Sequence, residues 1–261
     1  MKRRYRISKD ADIRADILAR TPEVGDLLDI YVGNEGPVVN KWHHYLALYE
    51  RYFAKWRGGP VRFLEIGVSK GGSLDIWRRF LGPEAVIFGI DIDPACAQFN
   101  GKSGQVRIGS QDNPAFLKKV VDEMGGLDLV LDDGSHVMKH IKTSLAALFP
   151  RLSPGGTYVI EDLHTAYWEE YGGGLENTDN FFAMIRPLID DMHRWYHEGA
   201  LNRRDLRDQI TGIHIHDSLV VLDKGKVTKP VHSFVGAEAT EKRRKSQEQA
   251  IAAGHEGEGG R

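Results

Sequence analysis

The stretch Val61-Arg-Phe-Leu-Glu-Ile-Gly-Val-Ser-Lys-Gly-Gly-Ser73 decides the fold. An apolar run stops at Gly67, and Ser73–Leu81 then repeats its apolar residues at helical spacing. Glycine at 67 and 71 lets the backbone turn tightly and approach a ligand without a Cβ in the way. The first amides of the following helix then face that ligand. Working outward, Ala85–Asp93, Leu127–Asp133 and Thr157–Asp162 are further short apolar runs that end on acids. Runs of this kind suit strands buried on both faces of a parallel sheet. Helical patterns at Ser73–Leu81, Asn113–Glu123 and Val137–Phe149 lie between them, so the chain reads as an α/β, doubly wound fold. Ile213–Asp223, followed by Gly225 and Val227, reads as a late pair of strands closing one edge.

Ahead of this core, residues 1–57 form a helical lead. Its best helix is Val39–Trp56, where Trp42, Tyr45, Leu46, Tyr49 and Phe53 recur at helical spacing. Residues 58–235 form the catalytic domain, and residues 236–261, rich in Glu, Lys, Gln, Gly and Ala, are expected to be a frayed helix and disordered tail. A chain of 261 residues fills one α/β domain with a small appendage. Its 35 Lys and Arg nearly balance 37 Asp and Glu, which leaves no basic field for nucleic acid. The single cysteine, Cys96, excludes an internal disulfide framework and fits a reducing compartment. The basic N-terminus lacks the apolar core of a signal peptide, and no run reaches the roughly 20 apolar residues of a membrane helix. A cytoplasmic protein without a membrane partner is expected.

Two constellations carry chemistry. In the first, the strand ending at Asp91 offers a carboxylate that accepts hydrogen bonds from ribose hydroxyls, the recurrent arrangement of doubly wound nucleoside sites. A dinucleotide fingerprint would place glycine where Ser69 stands. Glu65, two residues before Gly67, suits a ligand with a cationic methionine end instead, so S-adenosylmethionine is the expected cofactor. Glu65, Gly67, Ser69, Gly71, Asp91, Asp112 and Asp132 are the candidate cofactor contacts. Asp112 either reads the adenine amino group or caps the helix that begins near Asn113.

In the second, Asp132 and Asp133 end one strand and Glu161 and Asp162 end another. Four ionised carboxylates in one cleft repel strongly. A hard divalent cation relieves that repulsion and keeps places open for water or substrate. Taken singly, each acid also reads as a helix cap or a solvated loop charge. The excess of carboxylates over His and Cys favours magnesium over zinc. His136 is a candidate general base, metal ligand or cap, and His164 is a weaker one. Tyr167, Trp168 and Tyr171, followed by Gly172-Gly-Gly174, are expected to form a mobile aromatic wall for the acceptor. Lys41, His43, His44 and Tyr49 are expected to cover the cofactor.

Taken together, Phe63-Leu-Glu-Ile-Gly-Val68, Gly71-Gly-Ser-Leu74, Asp132-Asp-Gly-Ser-His136, Ile160-Glu-Asp-Leu-His-Thr-Ala-Tyr-Trp168 and Ile215-His-Asp-Ser-Leu-Val-Val221 resemble the metal-dependent sugar O-methyltransferases of macrolide and related antibiotic pathways. The resemblance covers roughly residues 40–235. It implies a mostly parallel, seven-stranded, Rossmann-like sheet. It implies S-adenosylmethionine and magnesium as cofactors, with Asp133, Glu161 and Asp162 on the metal and His136 as general base. It implies a small-molecule glycoside as substrate. The large additional N-terminal domain of that family has no counterpart in the short lead, so subunit assembly does not carry over and a homo-oligomer is left open. Three other readings remain: a catechol-type O-methyltransferase, whose substrate presents the same chelating pair of oxygens; an iron hydroxylase using His136, Asp133 and His164; and a catalytically silent cofactor-binding scaffold.

Overall fold

The computed structural model describes residues 12–197, 206, 209–236, 240–241 and 244–246. It divides into two compact units, Met1–Val227 and Thr228–Arg261. Most of the expected tail lies outside the described residues, as does Lys242-Arg243 of its basic run.

In the first unit the strands are β1 (Arg62–Ile66), β2 (Val86–Asp91), β3 (Gln105–Ile108), β4 (Leu127–Asp132), β5 (Leu152–Ile160), β6 (Ile210–His216) and β7 (Leu219–Lys224). They form one seven-stranded sheet in the order β3-β2-β1-β4-β5-β7-β6. The first five are parallel, and β7 runs antiparallel to β5 and β6. The sequence expectation of a doubly wound, mostly parallel sheet closed by an antiparallel pair therefore holds. The chain reverses its winding between β1 and β4, and open α/β sheets bind ligands beyond the strand ends at such a point.

Residues alternate across the sheet and fill two cores. Leu64, Ile66, Val130, Tyr158, Ile160 and Leu222 point to one face. Helices α5 (Pro114–Met124), α6 (Met138–Leu148) and α7 (Phe181–Met192) cover it. Phe63, Leu129, Leu131, Val159 and Val221 point to the other. There α4 (Gly72–Leu81) packs together with the lead helices α1 (Ile13–Arg20), α2 (Asp26–Val32) and α3 (His43–Phe53). Tyr45, Tyr49 and Phe53 on one side of α3 are fully buried, and Tyr49 and Phe53 meet Trp77 of α4 with ring centroids 5.2 Å apart. The lead is thus one half of a layer.

Helix α3 begins at His43, later than the expected Val39, because its N-cap Trp42 is extended, at φ −63° and ψ 137°. Strand β5 begins at Leu152, five residues before the apolar run that announced it. Its Pro154-Gly-Gly156 segment is taken up by a register shift against β4 between Leu127 and Leu129.

Candidate active site

The strand ends meet at one edge of the sheet. Gly67 has φ +99°, and a Cβ there would lie 2.1 Å from the Asp133 carbonyl oxygen. The turn after β1 therefore leans on the turn after β4, and only glycine fits between them. Gly71, at φ +79°, is the N-cap of α4 and brings no side chain to cap it. Asp91 sits beside this turn: its Oδ2 accepts from the amides of Val68 and Ser69, both at 2.9 Å, and its Oδ1 from Asp93 N. These amides outweigh burial and hold the Asp91 carboxyl below its usual range.

Two of the acids face inward. Glu65 is fully buried; it accepts from Ser73 Oγ at 2.7 Å and Trp77 Nε1 at 3.0 Å. Burial pushes its carboxyl up to about 7, although Lys41, Trp77 and Ser73 pull the other way. Asp132 accepts from Ser144 Oγ at 2.6 Å, Tyr158 Oη at 3.1 Å and Gln111 Nε2 at 3.1 Å, and burial still raises it. Any part that Glu65 or Asp132 plays toward a cofactor passes through the loops they anchor. Gln111 carries such a link: its Oε1 accepts from Ser135 N at 2.7 Å, tying the loop after β3 to the loop after β4.

Asp133, His136 and Asp162 do converge, each offering one atom within 4.8 Å of the others. His136 Nε2 lies 3.8 Å from Asp133 Oδ1 and 3.7 Å from Asp162 Oδ2. Both His136 and Asp162 hold left-handed backbone, at φ 57° and 54°. Strain of that kind concentrates at functional sites. Glu161 is turned to a lysine of the lead: Lys41 Nζ donates to its Oε1 at 2.9 Å and Oε2 at 3.1 Å, and to Asp133 Oδ2 at 2.6 Å. Burial would lower the Lys41 ammonium, but Asp133 and Glu161 win and hold it above the ordinary lysine range. Burial and Asp133 raise Glu161 well above its usual range against the pull of Lys41. Asp162 Oδ1 accepts from Trp42 Nε1 at 2.9 Å and Tyr45 Oη at 3.0 Å. A set of carboxylate oxygens already gathered around an ammonium fits a hard cation, and the one imidazole beside two carboxylates fits magnesium better than zinc.

The aromatic residues expected to form a wall do not pack as one group. Trp168 packs on His164, with centroids 4.7 Å apart, and on Tyr171 at 5.8 Å, while Trp42 of the lead meets His164 at 5.8 Å. Tyr167 leaves this group and stacks on Phe182 at 5.5 Å. The glycine triplet is tied back by hydrogen bonds from Gly172 to Glu169, Gly173 to Trp168 and Gly174 to Ala166. His164 Nδ1 lies 2.5 Å from Ser218 Oγ and is not part of the metal-capable group found among the described residues. The iron triad of His136, Asp133 and His164 is therefore not assembled. Asp112 pairs with Lys139 Nζ at 3.0 Å and Thr143 Oγ1 at 2.8 Å, and those two bonds lower its carboxyl. The cap of α5 is Asn113, whose Oδ1 accepts from Ala115 N and Phe116 N. Of the lead residues expected over the cofactor, Lys41 reaches the acids, His43 turns to Asp16 at 2.8 Å, His44 lies 3.2 Å from the Asp217 carbonyl, and Tyr49 packs on Trp77.

The chain is similar to known proteins. Residues 64–163 match the family described as a methyltransferase domain. The chain is 35% identical over 236 residues to the 8-demethyl-8-(2-methoxy-alpha-L-rhamnosyl)-tetracenomycin-C 3'-O-methyltransferase of Streptomyces olivaceus, an alignment covering 85% of this chain and 60% of that protein. It is 34% identical over 224 residues to the mycinamicin VI 2''-O-methyltransferase of Micromonospora griseorubida, covering 80% of this chain and 54% of that protein. The crystal structure of MycE, a methyltransferase of the mycinamycin biosynthetic pathway in complex with Mg and SAH, superimposes with a TM-score of 0.71 at 31% identity, over 85% of this chain and 60% of MycE. The chain thus spans about three fifths or less of the length of these relatives. In sequence and in fold, it is a homologue of the sugar O-methyltransferases.

Proposed function

We infer that the chain is an S-adenosylmethionine-dependent, magnesium-dependent O-methyltransferase acting on a sugar hydroxyl of a glycosylated natural product. The observation that carries this reading is the convergence of Asp133, His136 and Asp162 beside the glycine turn at Gly67, which is packed against Asp133 itself. The relatives supply the substrate class: rhamnosylated tetracenomycins and mycinamicin VI.

On this reading Asp91 holds the ribose hydroxyls and the Gly67–Gly71 turn admits the methionine end. Asp133, Glu161 and Asp162 are the residues that would hold the cation. When bound, magnesium would supply Lewis-acid stabilisation of negative charge at the acceptor oxygen. His136 Nε2, lying toward both front carboxylates, takes the acceptor proton as the oxygen attacks the sulfonium methyl. The methyl leaves with the new C–O bond, and the sulfonium becomes a neutral thioether. His164, Trp168, Tyr171 and Trp42 offer the aromatic surface beside the reacting hydroxyl, and Tyr167 lies outside it.

Calorimetric titration of S-adenosylmethionine, and of magnesium separately, tests the assignment. Micromolar cofactor binding in the wild type and in Asp133→Ala, with magnesium heat lost only in Asp133→Ala, supports it. An absence of cofactor binding would sink the methyltransferase reading. Near wild-type turnover by His136→Asn, which tolerates the left-handed backbone, would remove the base assignment alone.

A further inference from the structure

The acids of the site are held from behind by the lead. Asp133 has two faces: Oδ2 accepts from Lys41 Nζ at 2.6 Å, while Oδ1 looks toward His136 Nε2 at 3.8 Å. Asp162 repeats the pattern: Oδ1 accepts from Trp42 Nε1 and Tyr45 Oη, while Oδ2 looks toward His136 at 3.7 Å. Tyr45 Oη also lies 3.0 Å from the Ser218 carbonyl, so its single proton serves one of these two acceptors at a time, and the Asp162 amide donates to Tyr45 Oη at 3.2 Å. These residues lie 92 to 173 positions from their partners in the chain, so no local turn geometry produces the contacts. The segment ahead of α3 lays Lys41 and Trp42 on these carboxylates.

We propose that Lys41, Trp42 and Tyr45 are positioning residues for the cation site: by holding the rear oxygens of Asp133 and Asp162, they aim the front oxygens at a common point beside His136. This rests on the magnesium reading above. The physical basis is general. A carboxylate with one oxygen fixed by a donor has one rotational setting for the other, and partners of that kind typically change metal affinity by about 10–100-fold when removed. The lead is then coupled to the site: whatever displaces Asn40–Trp42 loosens the cation.

Removing Lys41 would strand buried Glu161 and endanger folding, so the decisive variants are Trp42→Phe, Tyr45→Phe and the double variant. Each deletes a donor and keeps a ring. Magnesium affinity is read by calorimetry in the full chain, with S-adenosylhomocysteine affinity and the unfolding midpoint in chelator measured alongside. The expected result is a magnesium Kd raised several-fold in Trp42→Phe and about 10–100-fold in the double variant, with cofactor affinity and the chelator midpoint of Trp42→Phe unchanged. Asp162→Asn, which should abolish magnesium binding, separates the two levels of the argument. Loss in Asp162→Asn with wild-type affinity in Trp42→Phe and the double variant overturns the positioning role and leaves the metal site standing. Wild-type affinity in Asp162→Asn, or no magnesium binding by the wild type, overturns the metal site and the positioning role together.

Discussion

Glu65 shows how one buried acid writes itself into stability. Burial raises its carboxyl from 4.5 to about 7. Between those values the folded protein binds the proton more tightly than the unfolded chain does. The stability this group contributes is therefore complete below about pH 4.5 and is lost as pH rises through about 7. Glu65→Gln has no such titration, and its amide still accepts from Trp77 Nε1 while donating to Ser73 Oγ. Relative to wild type, Glu65→Gln should gain roughly 3 kcal/mol between about pH 4.5 and 8, at 1.36 kcal/mol per pKa unit. Paired urea midpoints at the two ends of that range check this, and a pH-independent difference would mean that Glu65 stays ionised throughout. At the same scale, Ser69, His136, Asp162 and Ser218 are the described non-glycine residues with positive φ. All four border the site, and Ser218 receives Tyr45 through its carbonyl and Leu163 N as well. No pattern of residue types announces them, because Ser and His are ordinary loop residues until the turn they sit in is known.

At the level of the element, the start of α5 separates two neighbouring polar residues that look alike in the sequence. Asn113 accepts from two amides of the first turn, while Asp112 reaches across to α6. Asn113→Ala should cost about 1 kcal/mol, the usual loss for an N-cap. Asp112→Ala should leave the helix intact and show its effect in cofactor affinity. Thermal unfolding of the two variants side by side, with calorimetry of the second, distinguishes them; equal destabilisation would contradict the assignment of the cap. Strands β1, β2 and β4 were legible because a strand buried on both faces is written as an uninterrupted apolar run. The start of β5 was not, since Pro154 and two glycines obey the sheet only through the shift in register against β4.

For the whole molecule, the question is what the helical lead does for the sheet. Phe53 is fully buried between Tyr49, Phe63 and Trp77, with centroids 5.6, 6.0 and 5.2 Å away. It belongs to the core that backs the central strands. Phe53→Ala should destabilise the protein by about 3–5 kcal/mol, the range for deleting a buried aromatic ring, as read from the urea midpoint. A loss below about 1 kcal/mol would show a lead that is dispensable to the core, contrary to its packing. The two sheet faces also explain why the site needs both halves of the chain. Its acids come from β4 and β5, its cofactor turn from β1, and the donors behind the acids from the lead.

The sequence by itself determined the alternation of the central strands with helices α4, α5 and α6, the doubly wound sheet, and the acids that stand at the strand ends. Those features depend on local periodicity, on glycine at a turn, and on the rule that parallel strands present their carboxyl ends together. Only the tertiary structure decided which oxygen of each acid is spoken for. It turned Glu65 and Asp132 inward, gave Glu161 to Lys41, sent Tyr167 to Phe182, and set Trp42 against His164. The physical reason is the same in each case. A carboxylate or a ring will accept any donor or face within reach, and reach is set by how residues from 8 to about 120 positions apart pack around the same sheet.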